Sequence, residues 1–147
     1  MFEGYGSMAD IKSKDARSYN MSRIRGKNTK PEEIVRKYLF SRGFRYRKND
    51  KHLPGTPDIV LPKYKTAIFI NGCFWHGHEG CKYFIWPQNN AEFWHNKIST
   101  NKARDAKKHQ ELRSLGWNVE IVWECQLKPA YRENTLLQLE KILRARL

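Results

Sequence analysis

The chain has 147 residues, of which 39% are apolar and 13% aromatic, and it carries a net charge of +13. This length suits one compact domain with a single core, and the apolar content excludes an intrinsically disordered chain. No apolar run approaches the roughly 20 residues of a membrane-spanning helix, and we expect no secretory leader in the polar, glycine-rich start. So basic a domain is typical of a protein that binds a polyanion, with nucleic acid as the first candidate and an anionic membrane surface as the second.

The N-terminal part of the chain differs in composition from the rest. Residues 8–28 are basic and polar, with few apolar anchors. Two interpretations remain open, a solvated arm and an arm that contacts DNA and becomes ordered when it binds. We therefore divide the chain into an N-terminal extension with this arm, residues 1–28, and a folded domain, residues 29–147.

A helix is predicted to follow the arm. Thr29 fits its N-cap and Glu32 the third helical position of a capping box. Gly43 fits the stop at its C-terminal end. The apolar residues that share one face at helical spacing are Ile34, Val35, Tyr38 and Leu39.

Three short strands are predicted next, over residues 44–48, 58–61 and 67–70. The turn signals between them favour an antiparallel meander. Residues 71–90 predict an irregular loop that is rich in glycine, histidine, cysteine and aromatic residues.

The second half of the chain predicts two helices and one strand. Residues 91–115 form a long helical pattern that ends at Gly116, and residues 117–123 form a buried strand pattern. Because a helix connects this strand to the preceding one, the two should be parallel and joined by a right-handed crossover. Residues 133–146 predict a closing amphipathic helix. The order α-β-β-β-α-β-α indicates a mixed α/β sandwich.

The cysteines give the strongest chemical signal. Cys73 and Cys81 bracket two histidines, His76 and His78, on one loop, and Cys125 lies far downstream. Zinc prefers four thiolate or imidazole ligands in a tetrahedron, and three cysteines with one histidine are typical of a structural zinc site. Either histidine can be the fourth ligand. The alternative is three free buried thiols.

A second signal is Asp58 in the segment LPGTPDIV. An aspartate at the start of a buried strand is where many phosphodiesterases place their first metal-binding carboxylate, and Mg²⁺ prefers such oxygen ligands. In restriction-type nucleases a Glu-x-Lys or Asp-x-Lys pair follows on the next strand, but here that place reads Ile70-Asn71-Gly72. Either the site is inactive or other residues replace the missing pair. Asp58 alone would also fit a turn cap.

Three residues are candidates for that replacement. His76 can act as a general base, Glu32 can reach across from the first helix, and Asp105 lies on the long helix. Each has a structural alternative. His76 would be a zinc ligand or a core histidine, Glu32 a capping residue, and Asp105 a member of a solvent-exposed ion pair.

Aromatic residues near the cysteines form a third signal. Phe74 and Trp75 lie on the tight polar loop, and Trp94 follows Phe93 near the start of the long helix. They are either core residues or a wedge that enters a base step and unstacks it. Unstacking costs least where base pairing is already defective, so a wedge would sense a mismatch.

Several segments together resemble the very-short-patch-repair (Vsr) endonuclease family. They are GCFWHGHEGCKYF, AEFW with NKARD, and GWNVEIVWEC, while Asn20-Met21, the predicted helix start and LPGTPD fit in the same order over residues 9–128. The resemblance implies a restriction-endonuclease-like three-layer α/β fold, with a mixed central β-sheet flanked by helices and a structural zinc loop. It also implies Mg²⁺-dependent nicking of the T-containing strand, 5′ of the T, at T:G mismatches left by deamination of 5-methylcytosine.

The resemblance also implies roles for individual residues. Asp58 and the backbone carbonyl of Ile70 would bind Mg²⁺, and His76 would be the general base, supported by Asp105 and by Glu32, which would orient His76. The implied zinc ligands are Cys73, His78, Cys81 and Cys125. The implied wedge is Phe74, Trp75 and Trp94. The resemblance implies a minor-groove contact for Met21, and the basic composition of the arm adds Arg23, Arg25 and Lys27 as expected DNA contacts.

Two departures from the best-known family member are visible. Asn71 stands where that member has a histidine, and the spacing from His78 to Cys81 is one residue longer. The first leaves the identity of a helper residue open, whereas a flexible metal loop tolerates the second.

Two rival functions are kept. One is a homing- or restriction-type DNA endonuclease that cuts undamaged sites, and the other is a non-catalytic zinc-containing DNA-binding module. The joint presence of the four candidate catalytic side chains argues against the module. For the mismatch enzyme we expect double-stranded DNA with a T:G mismatch as substrate and general mismatch-repair proteins as partners. We further expect a monomer in the bacterial cytoplasm, associated with the nucleoid.

Overall fold

The computed structural model describes residues 30–146. Thr29 and the four arm residues for which DNA contacts are expected lie outside the described residues. The helices and strands of the described part are α1 (Lys30–Ser41), β1 (Arg47–Lys48), β2 (Ile59–Leu61), β3 (Thr66–Asn71), α2 (Ala91–Ser114), β4 (Asn118–Trp123) and α3 (Pro129–Arg144). Short 3₁₀ turns span Pro62–Tyr64 and Glu124–Leu127. The predicted order of elements is confirmed.

The strands form one mixed sheet in the order β1-β2-β3-β4. β1 and β2 are antiparallel, as are β2 and β3, which confirms the meander. β3 and β4 are parallel over their full length, from Thr66 opposite Asn118 to Asn71 opposite Trp123, which confirms the predicted parallel pairing. Because β2 runs against β3, the start of β2 and the ends of β3 and β4 meet at the same end of the sheet.

Helix α1 packs through the apolar face that its sequence predicts. Val35 and Leu39 are fully buried. Gly43 has the left-handed φ of +90° that ends a helix without a Cβ clash. The N–H of Phe44 then returns to the carbonyl of Leu39 at 3.0 Å and closes the turn.

Two elements start three or four residues away from their predicted position, whereas the other bounds differ from the prediction by at most two residues. Strand β1 begins at Arg47 rather than at residue 44 because Phe44 completes the α1 turn and buries its ring against Tyr64, at 5.1 Å between centroids. Helix α3 begins at Pro129 rather than at residue 133. Proline suits the first helical turn, since its fixed φ is helical and its missing N–H would have no partner there.

The central strand β3 faces two separate apolar clusters. Ile68 belongs to a cluster with residues of α1 and α3, whereas Ala67 and Phe69 belong to a second cluster with Leu112 of α2. Successive side chains of a strand point to opposite faces, so helices cover both faces of this strand. Within residues 30–146, no helix has the length and apolar character needed to cross a membrane.

Candidate active site and metal centre

Asp58 lies directly before β2, in contact with the end of β3. Its Oδ2 atom accepts a hydrogen bond from the backbone N–H of Ile70 at 2.7 Å. Burial and the nearby Glu32 carboxylate raise the pKa of Asp58 to about 7, although the Ile70 N–H and the Arg36 guanidinium act in the opposite direction. The two residues implied as Mg²⁺ ligands are therefore neighbours, although their contact uses the N–H of Ile70 and not its carbonyl.

Helix α1 supplies a second carboxylate at this position. Glu32 is only 3% exposed, and its Oε1 atom lies 3.4 Å from Nη1 of Arg36 one helical turn later. Glu32 also acts on Asp58 through its charge and a side-chain hydrogen bond. The segment Ile70-Asn71-Gly72 has no carboxylate, and the second carboxylate near Asp58 lies instead on α1.

His76 is paired with Asp105 of α2. The Nδ1 atom of His76 lies 2.6 Å from Oδ2 of Asp105, and both side chains keep part of their surface exposed, 29% and 24% respectively. A carboxylate at Nδ1 fixes the tautomer whose Nε2 atom can accept a proton. The carboxylate in contact with the His76 ring is thus that of Asp105, whereas Glu32 contacts Arg36 and acts on Asp58.

The loop that carries His76 is held against α2 at further points. The side-chain amide of Asn101 donates to the backbone carbonyl of Trp75 at 3.0 Å, one helical turn before Asp105. Gly77 has a left-handed φ of +63°, and a Cβ at this position would lie 2.7 Å from Ile98 and 2.8 Å from Lys102. Close packing on α2 therefore requires glycine here and fixes where His76 stands.

His109 connects the two halves of the candidate site. It lies one helical turn beyond Asp105, is 7% exposed, and packs its ring against Phe69 with centroids 4.6 Å apart. Phe69 directly precedes Ile70, which bonds to Asp58. The His76 pair and the Asp58 pair thus flank the last residues of β3.

The four expected zinc ligands come together in a separate cluster. Cys73, His78, Cys81 and Cys125 each offer one ligand atom, and these atoms all lie within 4.8 Å of one another. Cys125 Sγ is 3.5 Å from Nδ1 of His78. The other histidine of the loop, His76, lies outside this cluster and contacts Asp105 through its Nδ1 atom. The cluster could hold a metal ion.

The protonation chemistry of this cluster suits a metal. Burial lowers the pKa of His78 and so favours the neutral imidazole that binds metals. Burial also raises the pKa of the Cys73 and Cys125 thiols. A bound cation would replace their protons and compensate the charge of the resulting thiolates. The His78 ring is held by stacking on Trp123, at 4.0 Å between centroids and 4° between planes.

The three wedge candidates form one cluster, which we call the aromatic triad: Phe74, Trp75 and Trp94. Ring centroids are 5.3 Å apart for the pair Phe74–Trp75, 5.4 Å for Phe74–Trp94 and 5.6 Å for Trp75–Trp94. All three are partly exposed. The three rings of the triad therefore pack on one another while each keeps part of its surface exposed.

Further aromatic residues that the sequence analysis missed extend this cluster. Phe84 contacts Phe74 at 5.8 Å and Trp86 at 4.8 Å, and Trp86 stacks on His95 at 3.9 Å. The signal in the sequence was the alternation of aromatic residues in KYFIWP, directly after the last cysteine of the loop.

The interacting Asp58 and Glu32 carboxylates and the His76–Asp105 pair are groups that metal-assisted hydrolases use. Comparison with known proteins then defines the family. Residues 9–82 match the family model described as DNA mismatch endonuclease Vsr. The chain belongs to this family of DNA endonucleases.

Individual relatives agree with this assignment. The chain is 54% identical to the Type II nicking enzyme V.NmeAIP of Neisseria meningitidis serogroup A, over 82% of this chain and 86% of that protein. It is 47% identical to the Type II nicking enzyme V.XorIIP of Xanthomonas oryzae, over 82% and 88%. It is 43% identical to DNA mismatch endonuclease Vsr of Escherichia coli K12, over 82% and 77%.

Proposed function

We propose that the chain nicks the T-containing strand of T:G mismatches, on the 5′ side of the T, by metal-assisted hydrolysis of the phosphodiester bond. Family membership supports DNA mismatch cleavage as the activity. The observations that carry the mechanism are the 2.6 Å contact between His76 and Asp105 and the interaction of the buried Glu32 with Asp58. Packing of helices against both faces of β3 supports the restriction-endonuclease-like three-layer fold.

The donor set around Asp58 fits Mg²⁺. Two neighbouring carboxylates in a largely buried position repel each other, and a hard divalent cation with oxygen ligands would relieve that repulsion. Asp58 and the carbonyl of Ile70 would hold the ion, with Glu32 beside them. When bound, Mg²⁺ would neutralise the negative charge that develops on the scissile phosphate.

His76 would act as the general base. With Asp105 accepting a hydrogen bond from the N–H at Nδ1, the Nε2 atom would remove a proton from the attacking water. Asp105 would then stabilise the imidazolium that forms. Bond breakage leaves a 3′-hydroxyl on one side of the nick and a 5′-phosphate on the other.

The Cys73, His78, Cys81 and Cys125 cluster would hold a structural Zn²⁺ ion. Three thiolates and one imidazole are a closed tetrahedral set, which leaves no position for a substrate. The ion would join the loop after β3 to the end of β4. It would thereby stabilise the segment that carries both His76 and two members of the aromatic triad.

The aromatic triad would recognise the mismatch. Insertion of bulky rings into a base step costs a few kcal/mol, and less where the pair is already defective. Residues 1–28 would be a basic arm on the endonuclease domain of residues 29–147. Met21 of that arm would reach the minor groove, and Arg23, Arg25 and Lys27 would contact phosphates.

The cellular context follows from this activity. The relatives described above come from bacteria. We propose that the enzyme acts as a monomer on chromosomal DNA in the bacterial cytoplasm, and that general mismatch-repair proteins share its substrate.

A nicking assay tests the proposal against its rivals. Duplexes with a central T:G pair or a T:A pair are incubated with the full chain, in Mg²⁺ or in EDTA, for wild type and Asp58→Ala. Magnesium-dependent nicking of T:G alone, lost in the variant, supports the mismatch nickase. Equal cleavage of both duplexes would indicate a restriction- or homing-type enzyme, and tight binding without any cleavage would indicate a DNA-binding module.

A further inference from the structure

Strand β1 and the first part of the turn that follows it, residues 47–52, carry positive charge that the proposed mechanism does not use. We call this segment the basic turn. Its sequence RKNDKH holds three bases, Arg47, Lys48 and Lys51, against one acid, Asp50. All three bases are exposed, and together the residues of the turn line one shallow depression of the surface.

Asp50 fixes the conformation of the basic turn. Its carboxylate accepts the backbone N–H of His52 at 2.9 Å and lies 3.7 Å from the guanidinium of Arg47. The His52 N–H is the main cause that lowers the pKa of Asp50. Asn49 adopts a left-handed φ of +47°. These local contacts define the backbone conformation from which the exposed Arg47, Lys48 and Lys51 side chains project.

The basic turn is attached directly to the segment that carries Asp58. The backbone N–H of Asn49 donates to the carbonyl of Asp58 at 3.0 Å, and Lys48 is the strand partner of Ile59. Neighbouring strands lie only about 5 Å apart. β1 is also the terminal strand of the sheet. A DNA backbone bound at Asp58 therefore has these cations beside it.

We propose that the basic turn is a phosphate-binding surface for double-stranded DNA, in which Arg47, Lys48 and Lys51 contact the backbone next to the cleaved bond. The inference rests on the proposed function, since it takes DNA bound at Asp58 as the substrate. Contacts to phosphates fix register and orientation but carry no sequence information. The basic turn thus strengthens binding of matched and mismatched DNA alike, while the aromatic triad distinguishes them.

The test compares two triple variants with the same loss of charge. One is Arg47→Gln, Lys48→Gln, Lys51→Gln in the basic turn. The control is Arg113→Gln, Lys63→Gln, Lys65→Gln, three exposed residues at the opposite end of the sheet, where Asn118 bonds to the carbonyl of Lys65 at 2.8 Å. Dissociation constants of the full chain for T:G and T:A duplexes are measured from 50 to 200 mM salt.

Each lost phosphate contact reduces the slope of log K against log salt by about 0.9, so three contacts reduce it by about 2.7. Over that fourfold rise in salt, binding by wild type should weaken about 40-fold more than binding by the basic-turn variant, on both duplexes. The control should keep the wild-type slope. A charge-conserving variant, Arg47→Lys, Lys48→Arg, Lys51→Arg, should keep it too, and thermal unfolding of each variant checks that the fold is retained.

Equal slopes for the basic-turn variant and the control would overturn the inference. The inference would also be overturned if the charge-conserving variant lost the same amount of slope, because that variant keeps all three positive charges. Wild-type nicking of the T:G duplex is recorded in the same experiment. If wild type binds but nicks neither duplex, the proposed function fails while the salt slopes still decide the role of the basic turn.

Discussion

The Nδ1 atom of His76 and the Oδ2 atom of Asp105 are 2.6 Å apart, although 29 positions separate the two residues in the chain. The contact joins the cysteine-rich loop to the middle of α2. It orients the His76 ring toward α2, whereas the His78 ring, two residues later, contacts Cys125.

Replacing Asp105 by asparagine should slow strand cleavage with little effect on DNA binding. The amide cannot stabilise a protonated His76, and it allows the ring to adopt the wrong tautomer. A positioned general base contributes about 10²–10⁴-fold to rate, so we expect a loss within that range in single-turnover nicking at saturating enzyme. Glu111→Gln on the same helix, which removes a partly exposed ion pair with Lys108, is the control. A wild-type rate for Asp105→Asn would contradict the assigned pair.

Gly77→Ala should destabilise the protein more than Gly80→Ala. Both glycines have left-handed φ values, +63° and +84°, but only Gly77 has neighbours that a Cβ would meet. The backbone strain costs about 1–2 kcal/mol at either position. Overpacking against Ile98 and Lys102 adds about 1–3 kcal/mol at Gly77 alone. Denaturant unfolding measures the difference, and equal losses would show that the loop does not pack closely on α2.

Cys125→Ser should remove one ligand of the metal cluster and with it the bound zinc. Native mass spectrometry should find one zinc ion per wild-type chain and almost none in the variant. Loss of a structural metal is among the largest single-residue effects, so we expect a fall in the free energy of unfolding of about 4 kcal/mol or more. His52→Gln, at a side chain that is 96% exposed, should retain the metal and the stability. Wild type without zinc would contradict the assignment.

The free energy of unfolding should decrease as the pH falls, because the folded state resists protonation of His109. Burial lowers the pKa of His109, while Asp105 raises it and Arg113 and His76 lower it further. In the unfolded chain the imidazole takes up a proton near its ordinary pKa of about 6.5, whereas the folded state resists it. The contribution of the neutral His109 ring to stability is therefore fully present above about pH 6.5. It is lost as the pH falls through the lowered pKa of the folded state.

The measurement for His109 is the free energy of unfolding at several pH values between 7.5 and 5.5, for wild type and His109→Gln. Glutamine does not titrate, so the variant should lose less stability over this interval than wild type. The difference between the two curves isolates His109 from other groups that titrate in both proteins. Parallel curves would show that His109 is not held in the neutral form.

Much of the fold could be predicted because it depends on local patterns. The apolar face of α1, with Val35 and Leu39 at helical spacing, and the short strand patterns gave the correct element order and sheet topology. The start of β1 could not be predicted from propensity, since Phe44 suits a strand and is withdrawn from it only by packing on Tyr64. The start of α3 was missed because Pro129 was not taken as a first-turn residue.

The candidate site was predictable as a set of residues but not as a set of contacts. Cysteine spacing indicated a metal cluster, yet which histidine joins the cysteines and which contacts Asp105 depends on where α2 lies. The position of Glu32 beside Asp58 likewise depends on how α1 packs on the sheet. The stack of Trp86 on His95 joins the loop to the first turn of α2, and no local pattern encodes it.

The most direct test of the central claim is to map the cut on each strand of one T:G duplex. The two strands carry different end labels, and the products are resolved at single-nucleotide length after incubation with Mg²⁺. We expect one nick, in the T-containing strand, immediately 5′ of the T, with a 5′-phosphate and a 3′-hydroxyl. Cleavage of the G-containing strand, or of a T:A duplex at the same rate, would contradict it.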